Sequence, residues 1–218
     1  MSKPNLKIAM PKGRLFSQVL EVCSSTPLIG QDSNLSTLSR KLVQKIDETG
    51  NEFMLTKPVD VPAYVEHGAA DLGFTGKDVI AEKERNIYEV FDLEIGACNL
   101  VVAVPDKVNY EKPEELPDNL RVATSYPNLT ANYFNGLGIK VEIIQLGGSV
   151  ELAPLVDLAD IIVDITSTGT TLRKNNLKPI GTILESSVRM IVNRMSYRTN
   201  SSLIDQIISG IKLNIGSN

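Results

Sequence analysis

Residues 159–177 read ADIIVDITSTGTTLRKNNL. The apolar run Ile161-Ile162-Val163 ends at Asp164, a loop of Ile165, Thr166, Ser167, Thr168, Gly169, Thr170 and Thr171 follows, and Leu172-Arg173-Lys174 then reads as the start of a helix. Strand, hydroxyl-rich turn and helix start form the repeating unit of α/β folds. A helix opening there leaves backbone N–H groups without partners at the positive end of its macrodipole, which makes the turn a natural seat for a phosphate monoester. Gly169 lets the backbone approach a ligand closely or take positive φ, and the neighbouring hydroxyls add donors. Asp164, where the strand runs out, is placed to accept bonds from sugar hydroxyls or to hold a hydrated Mg²⁺. An ordinary αβ turn with an N-cap would show the same Ser, Thr and Gly. The acid ahead of Thr-Gly-x-Thr tips the balance toward a loop for a phosphorylated sugar.

Working outward, the same grammar recurs. Residues 6–10 (LKIAM) form a short strand, and Pro11-Lys12-Gly13-Arg14 turns it into a helix with Leu15, Phe16, Val19, Leu20 and Cys23 on one face. Lys12 and Arg14 flank a glycine at the carboxyl end of a strand, where ligands sit in open α/β sheets. Arg40-Lys41 precede an alternating run, 42–46, that reads as an edge strand. Residues 53–56 are the next strand; Asp60 is the expected N-cap of a helix that begins near Pro62 and ends at His67-Gly68. A strand at 70–74 and the turn Thr75-Gly76-Lys77-Asp78 repeat the strand–Thr-Gly–helix arrangement, without the GxxxxGK[ST] spacing of a P-loop.

Strands at 88–93 and 100–104 follow, then a Pro/Glu-rich stretch, 105–118, that is the most linker-like segment of the chain. Strand 121–124, a helix near 129–134, strand 140–144 and a short helix capped by Ser149 lead into the opening motif. Beyond Pro179 come strands at 180–185 and 188–193 and a final amphipathic helix with Leu203, Ile204, Ile207, Ile208 and Ile211 on one stripe. Strands alternating with helices throughout predict a largely parallel sheet, or two of them.

Composition narrows the function classes. The 218 residues are 42% hydrophobic and 22% charged, enough for one large domain or two small ones. A net charge of −4 excludes nucleic-acid or membrane binding by bulk electrostatics, so an anionic ligand must be held by local basic clusters. Cys23 and Cys98, without CxxC spacing, read as buried free thiols of a reducing compartment. The single histidine, His67, sits at a helix end, where it is a dipole partner rather than a catalyst, and a zinc site is not expected. No apolar leader follows the first residues and no apolar run is long enough to span a membrane, so the chain is expected in the cytoplasm.

Taken together, PKGRL (11–15), RKL (40–42), DVPAYVEHGAADLGFTGKDV (60–79), GSVELAP (148–154) and the opening stretch resemble, in that order and over nearly the whole chain, the short-form ATP phosphoribosyltransferases. The resemblance implies two α/β lobes with a cleft between them, periplasmic-binding-protein-like (type II), one lobe at 1–92 plus 184–218 and the other at 93–183. It implies that N1 of the ATP adenine is joined to C1 of phosphoribosyl pyrophosphate (PRPP) with loss of pyrophosphate and a requirement for Mg²⁺, the first step of histidine biosynthesis. By motif, Asp164 would bind the ribose hydroxyls, and Ile165, Thr166, Ser167, Thr168, Gly169, Thr170 and Thr171 the 5′-phosphate. Arg14 and Arg40 would meet pyrophosphate or substrate phosphates and, with Lys12, are the catalytic candidates; Lys12, Asp71, Thr75, Gly76, Lys77 and Asp78 would help form the facing nucleotide wall, with Lys57 a further ATP-binding residue and no protein metal ligand assigned. Lys57 stands where many relatives have arginine, and Asn99 where a basic residue is common. The implied partners are a second catalytic chain and a regulatory subunit similar to histidyl-tRNA synthetase, in a hetero-octamer through which histidine inhibits; nucleic acid and membrane are not among them. A two-lobed solute receptor or sensor and a phosphoribosyltransferase for another base are the rival readings.

Overall fold

The computed structural model describes residues 5–30, 42–46 and 48–216. The chain divides into two compact units, Met1–Gly96 with Ser187–Asn218, and Ala97–Ser186. Unit 1 begins with β1 (Lys7–Pro11), α1 (Arg14–Val22), β2 (Val43–Lys45), β3 (Glu52–Thr56), α2 (Val61–Glu66), β4 (Leu72–Gly76), α3 (Lys77–Lys83) and β5 (Tyr88–Asp92). Unit 2 holds β6 (Cys98–Pro105), β7 (Leu120–Thr124), α4 (Pro127–Leu137), β8 (Val141–Gln145), β9 (Ile161–Thr166), α5 (Thr170–Lys174) and β10 (Leu177–Ser186). The chain then returns to unit 1 for β11 (Val188–Val192) and α6 (Arg194–Ile215).

Unit 1 is a six-stranded sheet in the order β2-β3-β1-β4-β11-β5, and unit 2 a five-stranded sheet in the order β10-β6-β9-β7-β8. Both are mixed, which corrects the expectation of largely parallel sheets. β1 runs parallel to β3 and β4, but β11 lies antiparallel between β4 and β5. β9, β7 and β8 are parallel, and β6 lies antiparallel between β9 and β10. The cause is chain routing. β11 starts opposite the end of β5, at Arg189↔Asp92, and β6 starts opposite the end of β10, at Cys98↔Ser186. A strand that starts where its neighbour stops, with no crossover helix to turn it over, runs against that neighbour.

Alternation along the strands fills a core on each face. In unit 1, Ile8, Met10, Phe53, Phe74 and Met190 pack with Phe16 and Val19 of α1 and Ile204, Ile207 and Ile211 of α6, while Ala9 and Ile191 meet Val61 and Val65 of α2 on the other face. In unit 2, Ile161 and Val163 join Leu100, Val102, Val122 and Phe134, and Ile162 joins Val101, Ala103, Ala123, Ala153 and Leu172. A strand covered on both faces reads as an unbroken apolar run, which is why Ile161-Ile162-Val163 lacks the alternation of a half-exposed strand.

Several local expectations are revised. Ser149 precedes a 3₁₀ helix, Val150–Val156, with φ 49° and no side-chain cap bond, because a left-handed residue cannot aim its hydroxyl at the following amides. Asp60 likewise makes no side-chain cap, because it closes a 3₁₀ turn, Pro58–Asp60, that runs straight into α2. The 105–118 stretch lies within unit 2, with Pro113 and Leu116 buried, and is not a linker. Pro179 stands inside β10, where it is tolerated because β10 is an edge strand whose register shifts between Pro179 and Gly181. Cys23 is buried, but Cys98 is only partly so.

Candidate functional site

Parallel strands bring their carboxyl ends to one edge of a sheet, and each unit gathers its chemistry there. In unit 2, β7 and β9 pair through Thr124↔Val163, so the turn that follows Asp164 emerges beside the end of β7. Its register is fixed from below by Asp160, which accepts the Arg121 backbone N–H at 2.8 Å and pairs with its guanidinium at 2.9 Å.

The turn is built largely from its own hydroxyls. Thr166 Oγ1 accepts the Gly169 N–H at 2.9 Å, and the Thr168 and Thr170 hydroxyls lie 2.9 Å apart. Gly169 adopts φ 69°, the second of the two uses expected for it, and α5 begins at the next residue. That helix has 5 residues, so its macrodipole is short and the anion-binding capacity of the turn rests on local N–H and hydroxyl donors. Ser167, Thr168, Thr170 and Thr171 are exposed.

Asp164 is half-buried at the root of the turn, and its Oδ1 accepts the Ile165 N–H at 2.8 Å. Burial pushes its carboxyl up from 3.8 to about 6; the Ile165 N–H pulls against that shift and the charge of Glu151 adds to it. Two residues therefore matter here that sequence reasoning passed over. Glu151, inside the GSVELAP motif, faces Asp164 electrostatically. Arg173 folds back over the turn, its Nη2 donating to the Thr168 carbonyl at 3.0 Å and to Thr170 Oγ1 at 3.3 Å. The motif around Glu151 was the available signal for the first. For the second only its position one helical turn after Thr170 pointed inward.

In unit 1 the register Pro11↔Thr56, with the Lys12 N–H on the Thr56 carbonyl at 2.8 Å, sets Lys12 beside Lys57 at the carboxyl edge. Gly13 takes φ 82° and lets α1 start at Arg14. Lys12, Arg14 and Lys57 are all exposed. β4 ends at the same edge, where Thr75 Oγ1 donates to the Pro58 carbonyl at 2.8 Å. Thr75, Gly76 and Asp78 are buried, and Lys77 is held by Glu89 at 2.6 Å. The Thr75–Asp78 turn thus offers shape and backbone more than free side chains.

Asp71 is not brought to that turn. It precedes β4, at the opposite end of the strand, where its carboxylate accepts the Lys7 N–H at 2.8 Å and the Ser196 hydroxyl at 2.6 Å. Arg40 lies outside the described residues. Among the described residues no group of three or more His, Cys, Asp or Glu side chains could hold a metal ion, and no helix is long and apolar enough to cross a membrane.

Comparison with known proteins bears on this arrangement. The family model for HisG, ATP phosphoribosyltransferase, matches residues 57–213. The ATP phosphoribosyltransferase of Halothermothrix orenii is 54% identical over 93% of this chain and 91% of its own. Among solved structures, the ATP phosphoribosyl transferase (HisG:HisZ) complex from Thermotoga maritima aligns with a TM-score of 0.80 at 34% identity, covering 98% of this chain and 100% of that one. The periplasmic aliphatic sulphonate binding protein SsuA from Escherichia coli aligns with a TM-score of 0.63 at 14% identity, covering 98% of this chain and 69% of that one. That last likeness shows the fold alone, a mixed α/β architecture of the periplasmic-binding-protein type.

Proposed function

The chain belongs to the ATP phosphoribosyltransferase family, and from that premise we propose how its residues divide the work. The reaction joins N1 of the ATP adenine to C1 of PRPP, releases pyrophosphate and opens histidine biosynthesis. A solute receptor or a phosphoribosyltransferase for another base is not favoured by these relatives.

Breaking the anomeric C–O bond places positive charge on the ribose ring and negative charge on the departing pyrophosphate. Adenine N1 carries its own lone pair, so no side chain has to remove a proton before attack. The protein's task is to bind anions, align the ring nitrogen with C1 and favour the charged leaving group.

The turn after β9 takes the phosphoribosyl group. Asp164 accepts the ribose hydroxyls, and the N–H and hydroxyl donors of Thr166 to Thr171 hold the 5′-phosphate. Lys12 and Arg14, with Arg40, meet the pyrophosphate; a guanidinium grips such oxygens bidentately. Lys57, the exposed cation beside Lys12, serves the ATP phosphates, while Thr75, Gly76, Lys77 and Asp78 shape the nucleotide wall from behind. Asp71 drops out of that set, because its carboxylate is already bonded at the other end of β4. Hard oxygen donors at Asp164 and Glu151 suit Mg²⁺, which binds through one or two carboxylates plus substrate phosphates and, when present, neutralises pyrophosphate charge. The observation that carries the assignment is the conjunction at one strand end of Asp164, a left-handed Gly169 and five hydroxyl side chains.

A homodimer joined to a regulatory subunit similar to histidyl-tRNA synthetase, with histidine inhibiting through that subunit, completes the proposal; the Thermotoga maritima structure is of a HisG:HisZ complex. A cytoplasmic location accords with two cysteines, Cys23 and Cys98, that form no disulfide among the described residues. The direct test follows pyrophosphate release from ATP, PRPP and Mg²⁺ in the presence of the regulatory subunit. Turnover lost on Asp164→Ala but kept on Asp71→Ala supports the division of roles; the reverse pattern defeats it.

A further inference from the structure

Three arginines of this protein are committed to carboxylates. Arg85 pairs with Glu66 at 2.9 Å, Arg121 with Asp160 at 2.9 Å, and Arg189 with Asp92 at 2.9 Å. Arg173 is held instead by the turn it follows. Among the described residues it forms no ion pair, and its guanidinium is bonded instead to the turn, through Nη2 to the Thr168 carbonyl and the Thr170 hydroxyl. Nη1 passes over Gly169, 2.9 Å from where a Cβ would stand, so the planar group lies on the bare backbone of the turn. Asn175 Nδ2 donates to the Thr171 carbonyl at 2.9 Å and so ties the next carbonyl away from the same space.

The placement has a chemical consequence. A guanidinium has five N–H donors, and Nη2 alone engages the turn, so the remaining donors are available to an anion seated on the same loop. A cation of this kind, in no ion pair among the described residues, adds positive charge beside the turn where the short α5 supplies little. We propose that Arg173 is a PRPP-binding residue that contacts the 5′-phosphate while it holds Thr168 and Thr170 in the shape that receives it. The proposal rests on the assignment of PRPP to the turn after β9. It adds a charged group to a loop otherwise made of neutral donors.

The test is a charge series at one exposed position, Arg173→Lys, Arg173→Gln and Arg173→Glu. For each intact variant, PRPP affinity is measured by calorimetry, and KM for PRPP and for ATP with the regulatory subunit present. Losing a hydrogen bond to a charged phosphate predicts an increase in KM for PRPP of about tenfold for Arg173→Gln, with kcat and the KM for ATP changed far less. Lys should fall between wild type and Gln, and Glu beyond Gln; the salt dependence of PRPP binding should flatten in Gln and persist in Lys. An unchanged KM for PRPP in Arg173→Gln, or equal losses for ATP and PRPP accompanied by lower thermal stability, overturns the proposal. Asp164→Asn, run alongside, separates the two failures. If Asp164→Asn weakens PRPP binding and Arg173→Gln does not, Arg173 alone falls; if neither does, the loop is not the PRPP site.

Discussion

Asp164→Asn should make the protein more stable at neutral pH while removing its function. Asp164 stands where β9 emerges from a core filled by Ile161, Ile162 and Val163, and burial lifts its carboxyl from 3.8 to about 6. Between about pH 4 and 6 the folded protein therefore keeps a proton that the unfolded chain has lost, so the stability contributed by this group falls as pH rises through that window and is constant above it. The two end points of the shift imply a cost of ionisation approaching about 3 kcal/mol in the folded state at pH 7, and relaxation leaves about 2 kcal/mol as a working figure. Asparagine keeps the Oδ1 that accepts the Ile165 N–H and has nothing to ionise. Urea denaturation of both proteins across that pH range should give nearly equal stabilities near pH 4 and an advantage for Asp164→Asn of about 2 kcal/mol near pH 7.5, or roughly 4–8 °C in melting temperature. The same variant should bind PRPP weakly, since an amide presents one acceptor where the carboxylate presents two. A difference that is absent at pH 7.5, or that does not change with pH, would show that burial does not hold the charge of Asp164 at a cost.

The same carboxyl should appear in the kinetics: kcat/KM for PRPP is expected to fall below about pH 6 as the free enzyme's Asp164 takes up a proton, and a profile flat to pH 5 would contradict that. Asp71→Ala should lower stability by about 1–3 kcal/mol through loss of its bonds to Lys7 and Ser196, and leave the KM for ATP within about twofold; a raised KM at unchanged stability would return Asp71 to the nucleotide wall. Arg14→Ala, at an exposed position, should reduce turnover by about a hundredfold or more with an unchanged melting temperature, and an unaltered rate would remove Arg14 from the leaving-group assignment.

What could be read from the sequence follows from how local each feature is. Ile161-Ile162-Val163, the turn and the left-handed Gly169 were legible because a strand covered on both faces and a residue needing positive φ leave their marks within a few positions. The amphipathic α6, with Ile204, Ile207 and Ile211 buried, was legible for the same reason. Strand direction was not, because the antiparallel insertion of β6 and β11 depends on where the chain passes between units, and neither LVVAV nor VRMIV carries a sign of its neighbour's direction. Asp71 was misplaced by proximity: it is four residues from Thr75 in sequence, but β4 separates them by the length of a strand. Arg173 and Glu151 were overlooked because their importance lies in what the fold brings to them, a carbonyl and a hydroxyl for one and a half-buried carboxyl for the other.

Everything proposed for this protein depends on the turn from Asp164 to Thr171 receiving the phosphoribosyl end of PRPP. A crystal structure of the chain with PRPP and Mg²⁺ tests it most directly. The 5′-phosphate should lie within hydrogen-bonding distance of the Gly169 to Thr171 amides and hydroxyls, with the ribose hydroxyls on Asp164. PRPP bound elsewhere, with that turn unoccupied, would contradict it.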